Sequence, residues 1–111
     1  MNLKKNKIGI LGGSFDPAHK GHLAISKEAA KRFKLKNIIW AITEKNTFKK
    51  RSSSNVLTRI KYCKKIIGST RFIKVKFFEN IIKSNKTIDL INYLSKSKKN
   101  ELYFLMGADN L

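Results

Sequence analysis

The two histidines of this chain lie three residues apart, shortly after a pair of glycines, in the segment Gly12-Gly13-Ser14-Phe15-Asp16-Pro17-Ala18-His19-Lys20-Gly21-His22. Glycine lets backbone N–H groups come close to a ligand, and residues three apart on a helix share one face. Imidazole donors aimed at phosphate oxygens stabilise the charge that develops when a phosphoryl or nucleotidyl group is transferred, and a protonated ring would add to this effect. The segment therefore predicts phosphate binding and transfer by positioning and electrostatics, without a covalent intermediate.

The spacing of this segment also limits the alternatives. It contains neither Gly-x-x-x-x-Gly-Lys-Ser/Thr nor Gly-x-Gly-x-x-Gly, so a P-loop or a dinucleotide-cofactor site has no support. Two histidines without a third nearby ligand make an incomplete zinc site, and we expect no metal held by the protein itself. One structural alternative stays open, because His19 and His22 could simply cap an ordinary helix.

The residues around this segment predict alternating strands and helices. Short apolar runs bounded by glycine or polar residues are typical of buried strands, and apolar residues that recur every three or four positions are typical of helices. The predicted strands are Lys7–Leu11, Asn37–Ile42, Phe72–Phe78 and Leu102–Met106, and the predicted helices are Lys20–Lys34, Val56–Ile67 and Ile88–Ser95. This βαβαβαβ order predicts an α/β fold, an open parallel sheet with helices on its faces.

Two of the predicted strands end at glycines, Leu11 before Gly12 and Met106 before Gly107. Ligands of open parallel sheets bind beyond the carboxyl ends of the strands. The helix that begins near His19 points its positive end and its unpaired amides at the same space. We therefore expect the functional site at this edge of the sheet.

Length and composition exclude several classes of protein. A chain of 111 residues allows one domain, and 41% hydrophobic residues can build a core. The single Cys63 excludes a disulfide scaffold and a zinc finger, and it fits a reducing compartment. Apolar runs such as Ile38–Ile42 are far shorter than the roughly 20 residues of a membrane-spanning helix. We expect a cytoplasmic protein.

The net charge is +18, from 25 Lys and Arg against 7 Asp and Glu. Such a charge can indicate a nucleic-acid partner, because lysine and arginine bind phosphate backbones. However, 21 of these residues are lysine and 4 are arginine, and the lysines are spread from Lys4 to Lys99. Proteins that recognise nucleic-acid bases use arginine more often, because its planar guanidinium can form two hydrogen bonds to one base. A solvated lysine surface is favoured over a nucleic-acid partner.

The segment from Gly12 to His22 resembles the signature of the HxGH nucleotidyltransferase superfamily, and its Gly-Gly-Ser-Phe-Asp-Pro form is similar to bacterial nicotinate-nucleotide adenylyltransferases. Other stretches agree in order: Ile39–Thr43, Asn46–Lys49, Thr87–Asp89 and Phe104–Leu111. The resemblance implies a Rossmann-like fold and transfer of AMP from ATP to nicotinate mononucleotide, with Mg²⁺ bound to the ATP. The products would be nicotinate adenine dinucleotide and pyrophosphate, on the route to NAD.

The resemblance also implies roles for the matching positions on the ATP side. His19 and His22 would bind the ATP phosphates and stabilise the transition state. The backbone of the glycine-rich loop would hold phosphate, at Gly12, Gly13, Ser14 and Phe15. Gly107 and Asp109 would line the adenosine or dinucleotide side, although Asp109 could instead cap a following helix.

On the acceptor side, the resemblance implies that Lys86 and Thr87 receive the nicotinate carboxylate through backbone amides, and that Lys49 steers phosphate. Each has a structural alternative, since Thr87 could cap the helix from Ile88 and Lys49 lies in a lysine-rich, solvated stretch. Two other residues have structural expectations only. Trp40 is expected in the sheet core, and Arg59, where the family often carries an arginine, is expected to make an ion pair on the helix face or none.

The sequence departs from the family at three positions near the nicotinate end, where Thr47 replaces a proline, Lys86 an aromatic residue and Leu90 a threonine. The family also has a tryptophan and a Ser/Thr-rich segment ending in arginine that lie beyond Leu111. We therefore expect residues 1–111 to form a single nucleotidyltransferase domain that is incomplete at its C-terminal end. The alternatives are an HxGH adenylyltransferase with another acceptor, nicotinamide mononucleotide or phosphopantetheine, a basic nucleic-acid-binding protein, or an inert fragment.

Overall fold

The computed structural model describes residues 5–43, 55–83, 87–97 and 99–105, and within these ranges the chain forms four strands and four helices. In chain order they are β1 (Asn6–Gly13), α1 (Lys20–Phe33), β2 (Asn37–Ile42), α2 (Val56–Ile67), β3 (Ile73–Lys76), α3 (Glu79–Ile82), α4 (Thr87–Leu94) and β4 (Asn100–Leu105). The predicted α/β order is confirmed, with α3 as an additional short helix.

The four strands form one parallel sheet in the order β3-β2-β1-β4. The chain moves outward from β1 to β2 and β3, and it then returns to place β4 on the other side of β1. In the register of the sheet, Leu11 lies opposite Trp40 on one side and opposite Leu105 on the other. The strand order therefore reverses between β1 and β4, which is where an open parallel sheet binds its ligands.

Helices cover both faces of the sheet, as predicted, because side chains alternate between the two faces along each strand. Leu11 and Trp40 belong to the core under α1 and α2, which also contains Ala29, Cys63 and Ile67. Ile10 and Ala41 belong to a second core on the opposite face, where Phe78, Leu90 and Tyr93 pack. Continuous apolar runs in β1 and β2 thus reflect strands that are buried on both faces.

The ends of α2 follow from its sequence. The Asn55 side chain accepts a hydrogen bond from the Thr58 N–H at 2.8 Å, which caps the first turn. Gly68 ends the helix with φ of 58°, a conformation that glycine adopts without strain.

Membrane-spanning helices are not found among the described residues, because none of the helices there combines the necessary length with an apolar sequence.

The third strand is shorter than predicted, and this corrects the range Phe72–Phe78. The strand covers only Ile73–Lys76, and Phe78 directly precedes α3. Phe78 is nevertheless buried, and its ring lies 5.9 Å from that of Tyr93 on α4. The apolar run continued past the strand because a helix, not a neighbouring strand, buries its last residue.

Gly9 lies where two buried side chains meet, so its lack of a side chain is a packing requirement. A Cβ atom there would lie 2.7 Å from Cδ1 of Ile38 and 2.9 Å from Cδ1 of Leu35. We predict that Gly9→Ala lowers the free energy of unfolding by about 1–3 kcal/mol through overpacking, measured by urea unfolding. The matched control is Gly12→Ala on the same strand, where a Cβ would meet nothing within 4 Å. Equal effects of the two substitutions would contradict the packing argument.

Burial raises the pKa of the Cys63 thiol from 9.0 to about 11, while the nearby Arg59 charge acts in the opposite direction. Between these two pH values the unfolded chain loses the thiol proton and the folded chain keeps it. The free energy of unfolding therefore falls as the pH rises from 9 to 11, by at most about 2–3 kcal/mol. Urea unfolding across this range measures the fall. Cys63→Ala, which has no thiol, should show a smaller fall, and an identical pH dependence in both proteins would contradict this prediction.

Candidate functional site

The loop between β1 and α1 is anchored in the core by Phe15. This residue has φ of 52° and is 2% exposed. Its ring stacks on Trp40, with 5.1 Å between centroids and 15° between planes, and it lies 4.6 Å from the ring of His22. The Phe15 side chain therefore serves packing, and only its backbone is available for the phosphate contact that the resemblance implies.

His19 and His22 come together at the first turn of α1. The side chain of each accepts a hydrogen bond from a backbone N–H of this turn. His19 is the N-cap residue, and its Nδ1 accepts a hydrogen bond from the Gly21 N–H at 3.0 Å. Nδ1 of His22 accepts from the His19 N–H, also at 3.0 Å. The ring centroids are 4.0 Å apart. The pair thus forms a reciprocal capping arrangement, with both rings on one side of the helix end.

This arrangement assigns the tautomer of each imidazole. A ring nitrogen that accepts a hydrogen bond carries no proton, so the hydrogen of each neutral ring belongs on Nε2. Nδ1 is used for capping, and Nε2–H is the group with which each ring can donate to an anion. Capping and phosphate binding use different nitrogens and are compatible.

Gly21 makes room for the His19 ring, a role that the sequence analysis did not assign. A Cβ atom on Gly21 would lie 2.7 Å from Cε1 and 2.8 Å from Nδ1 of His19. Glycine inside a helix costs about 1 kcal/mol relative to alanine, and such a glycine in a first turn is a signal that packing or function requires it. Here it lets the ring of His19 fold over the turn and reach the Gly21 amide.

A chain of two hydrogen bonds, one buried and one partly buried, connects the first turn of α1, which carries His19 and His22 and is called the histidine turn below, to the sheet. Nε1 of Trp40 on β2 donates to Oγ of Ser26 at 2.8 Å, and this hydroxyl donates to the carbonyl oxygen of His22 at 2.8 Å. Trp40 and Ser26 are both fully buried. The expectation that Trp40 packs in the sheet core is confirmed, and its indole N–H also fixes the first turn of α1 relative to β2.

The expectation for Arg59 is corrected, because this side chain is 2% exposed and reaches beneath the loop. Its Nη1 donates to the carbonyl oxygens of Ser14 and Thr43, both at 2.7 Å. The signal was present in the sequence, since Arg59 lies three residues after Val56 and four before Cys63 on the apolar face of α2. The charge of arginine suggested the exposed face of α2, whereas the spacing of Arg59 from Val56 and Cys63 places it on the buried face.

The glycine pair at the end of β1 is not required by the fold. Gly12 is exposed and a Cβ there would meet nothing within 4 Å. A Cβ on Gly13 would have the Phe15 ring and backbone as its nearest neighbours, at ordinary contact distances of 3.7 Å or more. Neither residue has the positive φ that favours glycine. What the pair provides is open backbone at the carboxyl end of the central strand, where a ligand can approach closely.

Several predicted site residues lie outside the described part of the chain, namely Lys49, Lys86, Gly107 and Asp109. The helix predicted from Ile88 begins at Thr87. Among residues 5–43, 55–83, 87–97 and 99–105, no three His, Cys, Asp or Glu side chains are grouped to hold a metal ion.

Comparison with known proteins identifies the family. Residues 10–111 match the model of the family described as cytidylyltransferase-like. The chain belongs to this family.

Curated relatives agree with the resemblance seen in the glycine–histidine segment. The chain is 68% identical over 111 residues to a probable nicotinate-nucleotide adenylyltransferase from Pelagibacter ubique, covering 100% of the chain and 62% of that protein. It is 36% identical over 105 residues to a protein of the same description from Ruegeria sp. strain TM1040, covering 94% of the chain and 55% of that protein. The chain thus spans about 55–62% of the length of these relatives.

Solved structures confirm the Rossmann-like fold. A Plasmodium falciparum nicotinic acid mononucleotide adenylyltransferase complexed with NaAD superposes with a TM-score of 0.75 at 22% identity, covering 94% of this chain and 53% of that one. The same enzyme complexed with APC gives a TM-score of 0.76 at 23% identity, covering 94% and 52%. At 22–23% identity, these superpositions show a shared fold and nothing further.

Replacing Gly21 tests whether it exists to place His19. Gly21→Ala forces the His19 ring off the first turn and removes one capping bond, a loss of about 1 kcal/mol that the better helix propensity of alanine offsets. We predict nearly unchanged stability in urea, together with a clear change in the imidazole ¹⁵N signals of His19. The control is the exposed neighbour, Lys20→Ala, which should leave these signals in place. Unchanged His19 signals in Gly21→Ala would contradict this role.

Proposed function

We propose that this chain acts as a nicotinate-nucleotide adenylyltransferase, which transfers AMP from ATP to nicotinate mononucleotide. The observation that carries the proposal is the histidine pair, with its rings 4.0 Å apart and both Nδ1 atoms engaged in the cap. In this geometry the cap uses Nδ1 of each ring, and the proposal assigns the phosphate contact to Nε2–H. The relatives of the same description, at 68% and 36% identity, support the choice of reaction.

The reaction is a substitution at the α-phosphorus of ATP. An oxygen of the mononucleotide phosphate attacks in line and forms a new O–P bond, while the bond from the α-phosphorus to the bridging oxygen breaks. Pyrophosphate leaves, and the product is nicotinate adenine dinucleotide. The Nε2–H groups of His19 and His22 donate to the phosphate oxygens, where negative charge changes most between ATP and the transition state.

The glycine-rich loop supplies the remaining phosphate contacts in this proposal. The backbone amides of Gly13, Ser14 and Phe15 bind phosphate, and Gly12 leaves space for its approach. The N-terminus of α1, a helix of 14 residues, adds the positive end of its dipole at the same place. No group on the protein needs to form a covalent bond, so the loop acts by positioning.

Other elements of the proposal rest on the family resemblance. Mg²⁺ would arrive bound to the triphosphate as part of the substrate and would neutralise its charge. Lys86 and Thr87 would receive the nicotinate carboxylate, Lys49 would steer phosphate, and Gly107 and Asp109 would line the adenosine or dinucleotide side. Residues 1–111 would belong to one domain. We propose the cytoplasm as its location, which fits a protein whose single cysteine is a free, buried thiol.

Release of pyrophosphate tests the reaction. The protein is incubated with ATP, Mg²⁺ and nicotinate mononucleotide, and pyrophosphate is measured with a coupled assay. The 111-residue chain is compared with a chimera that appends the unmatched C-terminal part of the Pelagibacter ubique relative. Nicotinamide mononucleotide and phosphopantetheine at equal concentration compete as acceptors. A folded chimera that releases no pyrophosphate with nicotinate mononucleotide would overturn the proposal.

Substitution of His22 separates catalysis from capping. In His22→Asn, the amide oxygen can replace Nδ1 as the acceptor for the His19 N–H, but the Nε2–H donor and the ring contact with Phe15 are lost. We predict that turnover of the chimera falls at least about a hundredfold, as expected for a lost transition-state donor, while the stability in urea changes by less than about 1 kcal/mol. His22→Ala should lose both the donor and the cap. Near-full activity of His22→Asn would remove His22 from the mechanism.

A further inference from the structure

The carboxyl ends of β1 and β2 separate directly after their last hydrogen bond. The Thr43 N–H donates to the carbonyl oxygen of Gly13 at 2.9 Å, which extends the pairing of the two strands by one residue. Beyond this bond, β1 continues into the loop at Ser14 and β2 has ended at Ile42. The next carbonyl oxygens, of Ser14 and Thr43, therefore need a donor other than the neighbouring strand.

Arg59 supplies that donor to both oxygens from one nitrogen atom. Nη1 lies 2.7 Å from the Ser14 oxygen and 2.7 Å from the Thr43 oxygen. Hydrogen bonds from a charged group are about twice as strong as neutral ones, and burial strengthens them further. The side chain is 2% exposed, on a helix whose buried face also carries Cys63 and Ile67. Arg59 thus joins three elements, the loop, the end of β2 and α2, at one point.

The bond to Ser14 acts directly beside the residues expected to hold phosphate. Phe15 follows with φ of 52°, and its ring is fixed between Trp40 and His22. The loop is therefore held at two neighbouring residues, by Arg59 at the Ser14 carbonyl and by packing at the Phe15 ring. The peptide N–H groups of Gly13, Ser14 and Phe15 lie in this held segment.

We propose that Arg59 is a positioning residue that sets the phosphate-binding loop against the end of β2, and thereby places both the loop amides and the histidine turn for ATP. This inference rests on the proposed function, because it assumes that the loop binds the ATP phosphates. Arg59 itself touches no substrate in this role. It acts through the carbonyl of Ser14 and the contact between Phe15 and His22.

Lysine is a partial substitute for arginine at this position. Its ammonium group can donate to carbonyl oxygens, but it is a point charge on a shorter arm and does not match the reach of Nη1 across two elements. Arg59→Lys should therefore keep part of the positioning effect. Arg59→Met fills similar space without any donor and leaves both buried carbonyls without this partner, which costs stability as well.

The matched control for stability is Cys63→Ala, one turn later on the same buried face of α2. It opens a small cavity and destabilises the fold, but it touches neither carbonyl oxygen. All variants are made in the chimera, and kcat and the KM for ATP are measured at a temperature where circular dichroism shows each one folded. The amide ¹⁵N shifts of Gly13, Ser14 and Phe15 are followed with and without pyrophosphate, a probe that needs no reaction.

We expect Arg59→Met to lower kcat/KM for ATP at least about thirtyfold, Arg59→Lys to lower it about three- to tenfold, and Cys63→Ala to stay within about twofold of wild type. The three loop amides should shift in both Arg59 variants and bind pyrophosphate more weakly. If Arg59→Met does not fold, Arg59→Lys decides the question.

Two results would overturn the inference. One is an Arg59→Met variant whose kcat/KM matches that of Cys63→Ala at equal stability. The other is an Arg59→Lys variant with wild-type kcat/KM and wild-type loop shifts. If the wild-type chimera binds pyrophosphate at the loop but transfers no AMP, the proposed function fails and the amide shifts alone decide the role of Arg59. If the wild-type chimera binds no pyrophosphate at the loop, the proposed function and the inference about Arg59 both fail.

Discussion

A parallel sheet can bind a ligand at its carboxyl edge only where neighbouring strands separate, and the separation leaves backbone polar groups without their strand partners. In this chain the carbonyl oxygens of Ser14 and Thr43 accept from the buried guanidinium of Arg59. The start of α1 has a similar need, because the first N–H groups of a helix have no intrahelical acceptor. There the amides of Gly21 and His19 donate to the imidazoles. The side chains that satisfy the backbone of this opening are thus the same ones that shape the candidate site.

The structure shows the helix cap that the sequence offered as one role of the histidine pair, and this cap is compatible with the proposed phosphate binding. Capping and phosphate binding were alternatives as long as each histidine was treated as one polar group. An imidazole has two nitrogens, and the cap uses Nδ1 of each ring, which fixes the hydrogen on Nε2. Removing either histidine entirely therefore disturbs the helix and the proposed chemistry together, and only a side chain that preserves the Nδ1-like acceptor, such as asparagine, distinguishes the two.

The sequence predicted most elements because their signals are local. Apolar runs between glycines and polar residues gave β1 and β2, and apolar spacing gave α1 and α2. The predicted end of β3 was wrong, since an apolar residue such as Phe78 is equally compatible with a strand and with the start of a short helix. Gly21 and Arg59 were missed for different reasons. The role of Gly21 depends on how the His19 ring folds back, which no pattern shows. The position of Arg59 on the apolar face of α2 indicates burial, but the prediction followed the charge of arginine, which is typical of an exposed residue.

The net charge of +18 contributes little to this site by contact. The proposed phosphate contacts come from loop amides, a helix end and two imidazoles. Lys5, Lys7, Lys34 and Lys36 line a groove at the amino end of β1, and Lys7 is separated from Gly13 by six residues of strand, or about 20 Å. This distance exceeds the Debye length of about 8 Å at physiological ionic strength, so salt screens these charges from the site. Lysines near the carboxyl edge can still raise the rate at which anionic substrates arrive, whereas those at the amino end serve as solvated surface.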